Sequence, residues 1–419
     1  MVGNRIRLHF PKPVITGTIH LDGSKSISNR ALIMQALAGN ANPQLDHLST
    51  SVDTRLMQQL LMSREDVLDA GAAGTTFRFL TAYLATQERE LVLTGSERMK
   101  QRPIGELVNT LNDLGAGIEF VEREGYPPLR FTGKPLIQLK QKIRIRASIS
   151  SQYISALLMI APALPDGLEI QLAGEVISRP YIEMTLAMMK HFGIFSEWVD
   201  DTISIEPQSY QSRPLFVEGD WSAASYYYSL AAISKEVNLD LYGIKDHSLQ
   251  GDSAIASIGR LFNIETQYHQ DHVILTKSNA PLPASIEWDF IQCPDLAQTV
   301  FTMCAATGVK GVFTGLQTLR IKETDRIAAM KAELKKVNVP FFQLPSRMSK
   351  QNEYHMVEGK AHFEDTPLFS TYEDHRMAMC LAPLALLHPI EIEHPAVVGK
   401  SYPEFWKDLK SLGGVIEEI

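Results

Sequence analysis

Charged and hydroxyl residues gather at a recurring place in this chain, the short loops that run straight into apolar helices. The first such loop is Gly23-Ser-Lys-Ser-Ile-Ser-Asn-Arg, which sets Lys25, Ser26 and Arg30 at a helix start. Free N–H groups and the helix dipole favour an anion there. Gly71-Ala-Ala-Gly-Thr-Thr-Phe-Arg opens a second such helix with Gly74, whose missing side chain admits a ligand to the backbone, and with Arg78. Arg102 precedes Pro103, a pair suited to the first turn of a helix, and its guanidinium can clamp a phosphate or carboxylate in a bidentate way. Ser150, Ser151 and Gln152 supply neutral hydrogen-bonding groups at another start, and Ser178-Arg-Pro-Tyr181 precedes an amphipathic helix. Each motif alone reads equally as a helix cap, a packing glycine or a surface arginine.

The later part of the chain is more specific. Leu319-Arg-Ile-Lys-Glu-Thr-Asp-Arg packs Lys322, Glu323, Asp325 and Arg326 into five positions. The preceding Gly315–Ile321 run looks β-like, which puts the cluster at a strand-to-helix junction, with Thr324 or Asp325 as the helix cap. Asp295 opens a buried helix after Cys293-Pro294, Tyr372-Glu-Asp-His-Arg376 precedes another, and Lys400 precedes the last amphipathic helix. Charges in such places need partners or a ligand. His375 reads as a satisfied histidine that positions its loop. The twelve histidines and three cysteines show no metal-ligand spacing, and Cys293, Cys304 and Cys380 read as buried and inert.

The elements that position these residues repeat. Six times a polar loop enters a helix that is apolar nearly all round, at Gly23, Gly74, Ser150, Asp220, Pro294 and Asp374. After each comes an amphipathic helix, often stopped by Gly or Asn: 53–62, 104–114, 181–192, 253–262, 325–337 and 403–412. Short alternating runs such as Glu90–Thr94, Leu168–Leu172 and Ile390–Glu393 read as strands. The unit recurs about every 70–80 residues after a shorter first copy. Three copies before Asp220 and three after it make two equal halves.

Composition bounds the reading. A chain of 419 residues, 45% hydrophobic and 21% charged, is expected to form two domains. Three cysteines cannot make a disulfide framework and suit a reducing compartment. The apolar stretches are too short to span a bilayer, and the first residues lack the apolar core of a secretory signal, so a cytoplasmic protein with no membrane partner is expected. The net charge of −8 argues against nucleic acid as partner. An acidic chain that nevertheless collects Lys25, Arg30, Arg78, Arg102, Lys322, Arg326, Arg376 and Lys400 in loops and first helical turns is suited to a small polyanion. Crowded like charges further suggest domains that stay apart until such a ligand neutralises the gap.

At nine motifs, from Gly23-Ser-Lys-Ser and Gly74-Thr-Thr-Phe-Arg through Arg102-Pro-Ile-Gly, Ser150-Ser-Gln-Tyr, Ser178-Arg-Pro-Tyr and Glu218-Gly-Asp-Trp-Ser to Ile321-Lys-Glu-Thr-Asp-Arg, Asp374-His-Arg-Met and Gly399-Lys-Ser-Tyr-Pro, the chain resembles the 5-enolpyruvylshikimate-3-phosphate (EPSP) synthases. The resemblance runs from about residue 5 to the C-terminus. It implies an α/β fold of two domains, each of three βαβαββ units: residues 18–218, and 1–17 with 219–419, with the active site in the cleft between them. It implies transfer of the enolpyruvyl group of phosphoenolpyruvate to the 5-hydroxyl of shikimate 3-phosphate in the shikimate pathway, by a monomer that needs no metal or organic cofactor. Carried over by position, Lys25, Ser26, Arg30, Ser150, Ser151, Gln152, Ser178, Tyr181, Asp295, Thr318 and Lys322 correspond to ligands of shikimate 3-phosphate. Lys25, Gly74, Arg102, Gln152, Arg326, Arg376 and Lys400 correspond to the phosphoenolpyruvate set. Lys25, Asp295 and Glu323 are the catalytic candidates, Lys25 and Glu323 for proton delivery to C-3 and Asp295 as base.

Ala72 and Thr318 stand where many or some members have Asn, Arg179 replaces a common Lys, and Asp22 stands where Pro is frequent. Two rival readings fit the residues less well. The sister enzyme that acts on a UDP-amino sugar uses a cysteine in its first half, and this chain has none before Cys293. A non-enzymatic anion-binding scaffold would be expected to have lost Glu323 or Asp295, and both are present.

Overall fold

The computed structural model describes residues 4–39, 44–147, 150–345 and 353–419. The chain divides into two compact units, one of Gly23–Val217 and one of Met1–Asp22 with Glu218–Ile419. The first carries α1 (Lys25–Leu37), α2 (Val52–Met62), α3 (Gly74–Ala85), α4 (Glu97–Lys100), α5 (Gly105–Asp113), α6 (Ser151–Ile160) and α7 (Arg179–His191). The second carries α8 (Trp221–Ile233), α9 (Ile255–Arg260), α10 (Ala297–Thr307), α11 (Arg326–Lys335), α12 (His375–Leu381) and α13 (Phe405–Ser411).

The two helix types follow from the sequence pattern. Helices α1, α3 and α6 pack against one another in the core of the first unit, as α8, α10 and α12 do in the second. They are buried almost all round, because most positions are apolar or small, although α1 also buries Asn29, Arg30 and Gln35. In α6, Ile154, Leu157, Leu158, Met159 and Ile160 are all fully buried. Each such side chain is worth about 1.5–3 kcal/mol, so packing rather than intrinsic propensity holds this helix. Helices α2, α5, α7 and α13 bury one stripe only, in α5 Leu107, Val108 and Leu111. The expected stops hold at Gly115, Gly193, Asn263, Asn338 and Gly413, all at positive φ, whereas α2 ends in an extended Ser63.

The sheets repeat one topology. Val67–Asp69 runs parallel to Glu90–Thr94, which pairs antiparallel with Leu129–Thr132, which in turn pairs antiparallel with Ile118–Phe120. This first-second-fourth-third order recurs in the sheets that begin with Lys142–Arg146 and Ser285–Asp289. In another sheet the first strand, Val14–His20, pairs in parallel with Glu236–Tyr242. In a further one the fourth strand is Arg5–His9, between Ile390–Glu393 and Val415–Glu418. The sheet of the first repeat consists, among the described residues, of Leu45–Asp46 and Leu215–Phe216 alone. The fold is thus the expected α/β array of six related units, with a reduced first copy.

One local expectation fails. Residues Gln317–Ile321 form a 3-10 helix, not a strand. The strand Lys310–Thr314 ends at Gly315, whose left-handed φ of 75° turns the chain, and only Leu319 of the following run is fully buried. A short run with one buried position fits a helical turn as well as a strand.

Candidate active site

In the unit Gly23–Val217 the anion-binding candidates lie at the starts of α1, α3 and α6 and in the loops beside them. Lys25 is the first residue of α1, and its Nζ lies 3.3 Å from Asp53 Oδ2 at the start of α2. Arg30 does not sit in a first turn as expected but one turn deeper, 1% exposed. Its Nε donates to Thr185 Oγ1 (2.7 Å), Nη1 to Ser26 O (2.9 Å), and Nη2 to Ser155 Oγ (3.0 Å) and Tyr181 O (3.3 Å). Four of the five N–H donors of its guanidinium are engaged in this way. Burial lowers its pKa to about 10, still far above neutrality, so the charge persists.

Gly74 begins α3 beneath two arginines. A Cβ placed on it would lie 2.5 Å from Arg102 Nη1 and 2.7 Å from Arg78 Nη1. Arg78, also in a second turn rather than a first, donates from Nη1 to Gly74 O at 2.9 Å, with its guanidinium 5.6 Å from the Tyr153 ring. Tyr153 in turn donates its hydroxyl to Pro103 O at 2.5 Å, beside Arg102. Pro103 lies ahead of the cap residue Ile104 and not in a first turn, because α4 ends at Lys100 and α5 starts only at Gly105. Ser150 caps α6 by accepting from Gln152 N, Ser151 is its first residue, and Gln152 Nε2 donates to Thr75 Oγ1 at 3.0 Å. Ser178 takes a left-handed conformation ahead of α7, and the ring of Tyr181 lies 5.9 Å from the Arg30 guanidinium.

In the other unit the charges meet directly. Arg326, the first residue of α11, is 2% exposed. It donates from Nε to Asp374 Oδ2 (2.7 Å), from Nη1 to Asp295 Oδ1 (3.1 Å) and from Nη2 to Glu323 Oε2 (2.9 Å). Arg376 Nη2 donates to Asp295 Oδ2 at 3.0 Å, and Lys322 Nζ lies 3.6 Å from Asp295 Oδ1. Lys400 Nζ lies 3.5 Å from Glu323 Oε1. Asp325 caps α11, accepting from Ile327 N and Ala328 N, and Asp374 caps α12, accepting from Arg376 N. Burial alone would raise the pKa of Asp295, but Arg376, Lys322 and Arg326 outweigh it and hold the carboxyl well below the usual carboxylate range. Burial lowers the pKa of Lys322, partly offset by Asp295. For Arg326 the burial effect is overcome by Asp374, Glu323 and Asp295, which raise it. Thr318 lies in the 3-10 turn with a buried hydroxyl that has no partner among the described residues.

The sequence reading did not single out Asp53, Ser222, Asp252 or Asp374 as parts of the site. Ser222 Oγ donates to Asp252 Oδ2 and lies 3.4 Å from Arg376 Nη2. Burial first, then repulsion by Asp295, pushes Asp252 up to about 7. Asp374 was legible as a cap ahead of a buried helix; Asp252, in a Gly-Asp pair before a short helix, gave no comparable signal. Among the described residues no cluster of His, Cys, Asp and Glu is placed to hold a metal ion, and no helix is long and apolar enough to cross a membrane.

This architecture is that of the enolpyruvyl transferases. It matches EPSP synthase from Acinetobacter baumannii with a TM-score of 0.77 over 99% of both chains at 20% identity. The enolpyruvyl transferase NikO from Streptomyces tendae matches with a TM-score of 0.72 over 99% of both chains at 13% identity. Sequence narrows the class. The family description "EPSP synthase (3-phosphoshikimate 1-carboxyvinyltransferase)" matches residues 45–409. The 3-phosphoshikimate 1-carboxyvinyltransferase of Bacteroides fragilis strain YCH46 is 47% identical over 402 residues, 95% of this chain and 96% of that protein. That of Vibrio atlanticus is 36% identical over 436 residues, 96% of this chain and 98% of that protein. The chain belongs to the EPSP synthase family.

Proposed function

We propose that this protein transfers the enolpyruvyl group of phosphoenolpyruvate to the 5-hydroxyl of shikimate 3-phosphate, releasing phosphate, as a step of aromatic amino acid biosynthesis. Beyond family membership, the observation that carries the reading is the grip of Arg326, Arg376 and Lys322 on Asp295, with Glu323 held between Arg326 and Lys400. Such an array combines acid–base groups with cations that can hold carboxylate and phosphate. The two substrates bring two phosphates and two carboxylates, and the collected cations suit that load.

In the addition step the 5-hydroxyl oxygen bonds to C-2 and a proton goes to C-3. In the elimination step C-3 gives up a proton, the C-2 to phosphate-oxygen bond breaks and phosphate leaves. Glu323 and Lys25 serve the proton at C-3, and Asp295 takes the proton of the 5-hydroxyl. Gripped by three cations, Asp295 is a weak base. A substrate phosphate or carboxylate that draws Arg376 and Lys322 toward itself restores its basicity. Shikimate 3-phosphate takes Lys25, Ser26, Arg30, Ser150, Ser151, Gln152, Ser178, Tyr181, Asp295, Thr318 and Lys322 as ligands, Arg30 through the Nη1 hydrogen that has no partner among the described residues. Phosphoenolpyruvate takes Lys25, Gly74, Arg102, Gln152, Arg326, Arg376 and Lys400. The protein acts as a cytoplasmic monomer on these small molecules, which sedimentation at working concentration tests for the monomer.

Phosphate release from phosphoenolpyruvate decides the main reading. Release is expected with shikimate 3-phosphate and not with a UDP-amino sugar. Release with the UDP-amino sugar alone, or with neither acceptor, overturns it.

A further inference from the structure

Two consecutive non-glycine residues ahead of α12, Tyr372 (φ 54°) and Glu373 (φ 56°), adopt the left-handed conformation. L-residues rarely do so, and a pair in succession persists only where surrounding contacts impose it. The turn stands directly before Asp374, which caps α12 and binds Arg326, and two positions further before Arg376, which binds Asp295.

The contacts that impose it converge on one carboxylate. Glu333 of α11 is fully buried, on the same helix face as Arg326, Met330 and Leu334. Its Oε1 accepts from Tyr372 OH at 2.7 Å. Its Oε2 accepts from Ser370 N at 3.0 Å and from Lys336 Nζ at 2.6 Å. Lys336 also donates to Leu368 O at 2.8 Å, so the strand Leu368–Phe369 that leads into the turn is tied to the same point. The backbone N–H of Ser370 and the phenol of Tyr372, both within five residues of Asp374, thus meet Glu333 together with the ammonium of Lys336 from the end of its own helix. A buried carboxylate with three charge-assisted donors is both satisfied and directional.

We propose that Glu333 is a positioning residue for the active site: it clamps the strained Tyr372–Glu373 turn and thereby sets where Asp374 and Arg376 stand. It touches none of the reacting atoms. The inference rests on the reading above that Arg376 holds phosphoenolpyruvate.

Steady-state kinetics on the full chain test it, with Tyr372→Phe as the mild variant, since Tyr372 is 39% exposed and loses only its hydroxyl. Glu333→Gln keeps the shape and removes the charge. Each variant is expected to raise KM for phosphoenolpyruvate about 5- to 30-fold while KM for shikimate 3-phosphate stays nearly constant. A purely structural role would lower the melting temperature and leave KM unmoved. Adding Glu373→Gly, which takes positive φ without strain, is expected to bring KM back at least halfway on a logarithmic scale in the Tyr372→Phe background. An unmoved KM in both single variants overturns the proposal, and so does a raised KM that Glu373→Gly fails to lower. Arg376→Gln measured alongside keeps the two readings apart. An unchanged KM there overturns the assignment of Arg376 itself. A raised KM there with unmoved clamp variants overturns only the clamp.

Discussion

Two arginines, each about as buried as the other, show how differently the two units use charge. Arg30 in one unit and Arg326 in the other are 1% and 2% exposed. Arg30 is held by two hydroxyls and two backbone carbonyls, so its positive charge is solvated by the protein but not cancelled. Arg326 touches Asp374, Asp295 and Glu323, so its charge is cancelled and exceeded. Burial lowers the pKa of the first to about 10, while carboxylates raise that of the second. The same repeated scaffold thus holds a cation among neutral groups in one half and a cation among carboxylates in the other. The partners around a buried charge, rather than its depth, decide which.

The strongest way to break this contrast is to remove the carboxylates proposed as acid–base groups. Glu323→Gln and Asp295→Asn are expected to lower kcat by about 10²–10⁴-fold while weakening shikimate 3-phosphate binding far less. Turnover and calorimetric binding on the same samples check this, and near-normal kcat in either variant removes that residue from the mechanism.

Stability offers the next comparison. Arg326→Gln takes one cation away from Asp374, Asp295 and Glu323 and should cost about 3–5 kcal/mol, chiefly at the fully buried Asp374, against about 1–3 kcal/mol for Arg30→Gln, which leaves only neutral groups short of a donor. Denaturant unfolding of the two variants measures the difference, and an equal or reversed cost would show that the carboxylates are not the deciding partners.

Gly74→Ala sharpens the anion-binding side. Its Cβ would meet the ends of Arg102 and Arg78, which must shift to admit it. Overpacking of about 1–3 kcal/mol should raise KM for phosphoenolpyruvate about 5- to 150-fold and leave shikimate 3-phosphate binding nearly intact. Reduced melting temperature with both constants unmoved would mean that the glycine serves packing alone.

The smallest effect concerns pH. Asp252 has its folded pKa raised to about 7, so the stability linked to its protonated form is complete below the ordinary carboxylate pKa and is lost as pH climbs toward 7. Asp220, Asp295 and Arg376 are the charged groups acting on it, together with the Ser222 hydroxyl. Asp252→Asn should therefore stabilise the protein at pH 8 by about 1–3 kcal/mol relative to its effect at pH 5. Asp295 works in the opposite sense. Its depressed pKa contributes stability above the ordinary carboxylate range that drains away as pH falls below about 4. Melting curves across pH for Asp252→Asn and the parent chain test both signs, and parallel curves would contradict the first.

Much of this was legible in the sequence because periodicity reports burial directly. The six buried helices, their amphipathic followers and the glycine or asparagine stops needed only local pattern. The charged run at Lys322–Arg326 stood out for the same reason, as did the cap at Asp325. Residues 315–321 misled because alternation over a few positions does not distinguish a strand from a 3-10 turn once a left-handed glycine has redirected the chain. Arg30 and Arg78 lie one turn deeper than expected: Arg30 is drawn among hydroxyls and carbonyls of distant helices, which nothing local announces, and Arg78 folds back on Gly74 O of its own helix. Asp252 was invisible because its role depends on Ser222 and Arg376, thirty or more positions away. Glu333 did leave a trace. It falls seven residues after Arg326, on the buried stripe of α11, where a glutamate is out of place unless something binds it.

The threading of the chain also has a consequence for biosynthesis. Residues 5–20 emerge from the ribosome well before the strands they pair with: Arg5–His9 has its partners in Ile390–Glu393 and Val415–Glu418, and Val14–His20 has its partner in Glu236–Tyr242. Gly23–Val217 holds all the partners of its own sheets and can condense while the rest is still being made. Arg5–His9 and Val14–His20 must meanwhile wait, with edges unsatisfied and a side-chain pattern that invites foreign strands. Assembly therefore need not run from front to back: Gly23–Val217 can close before the two strands that precede it in the chain find their partners.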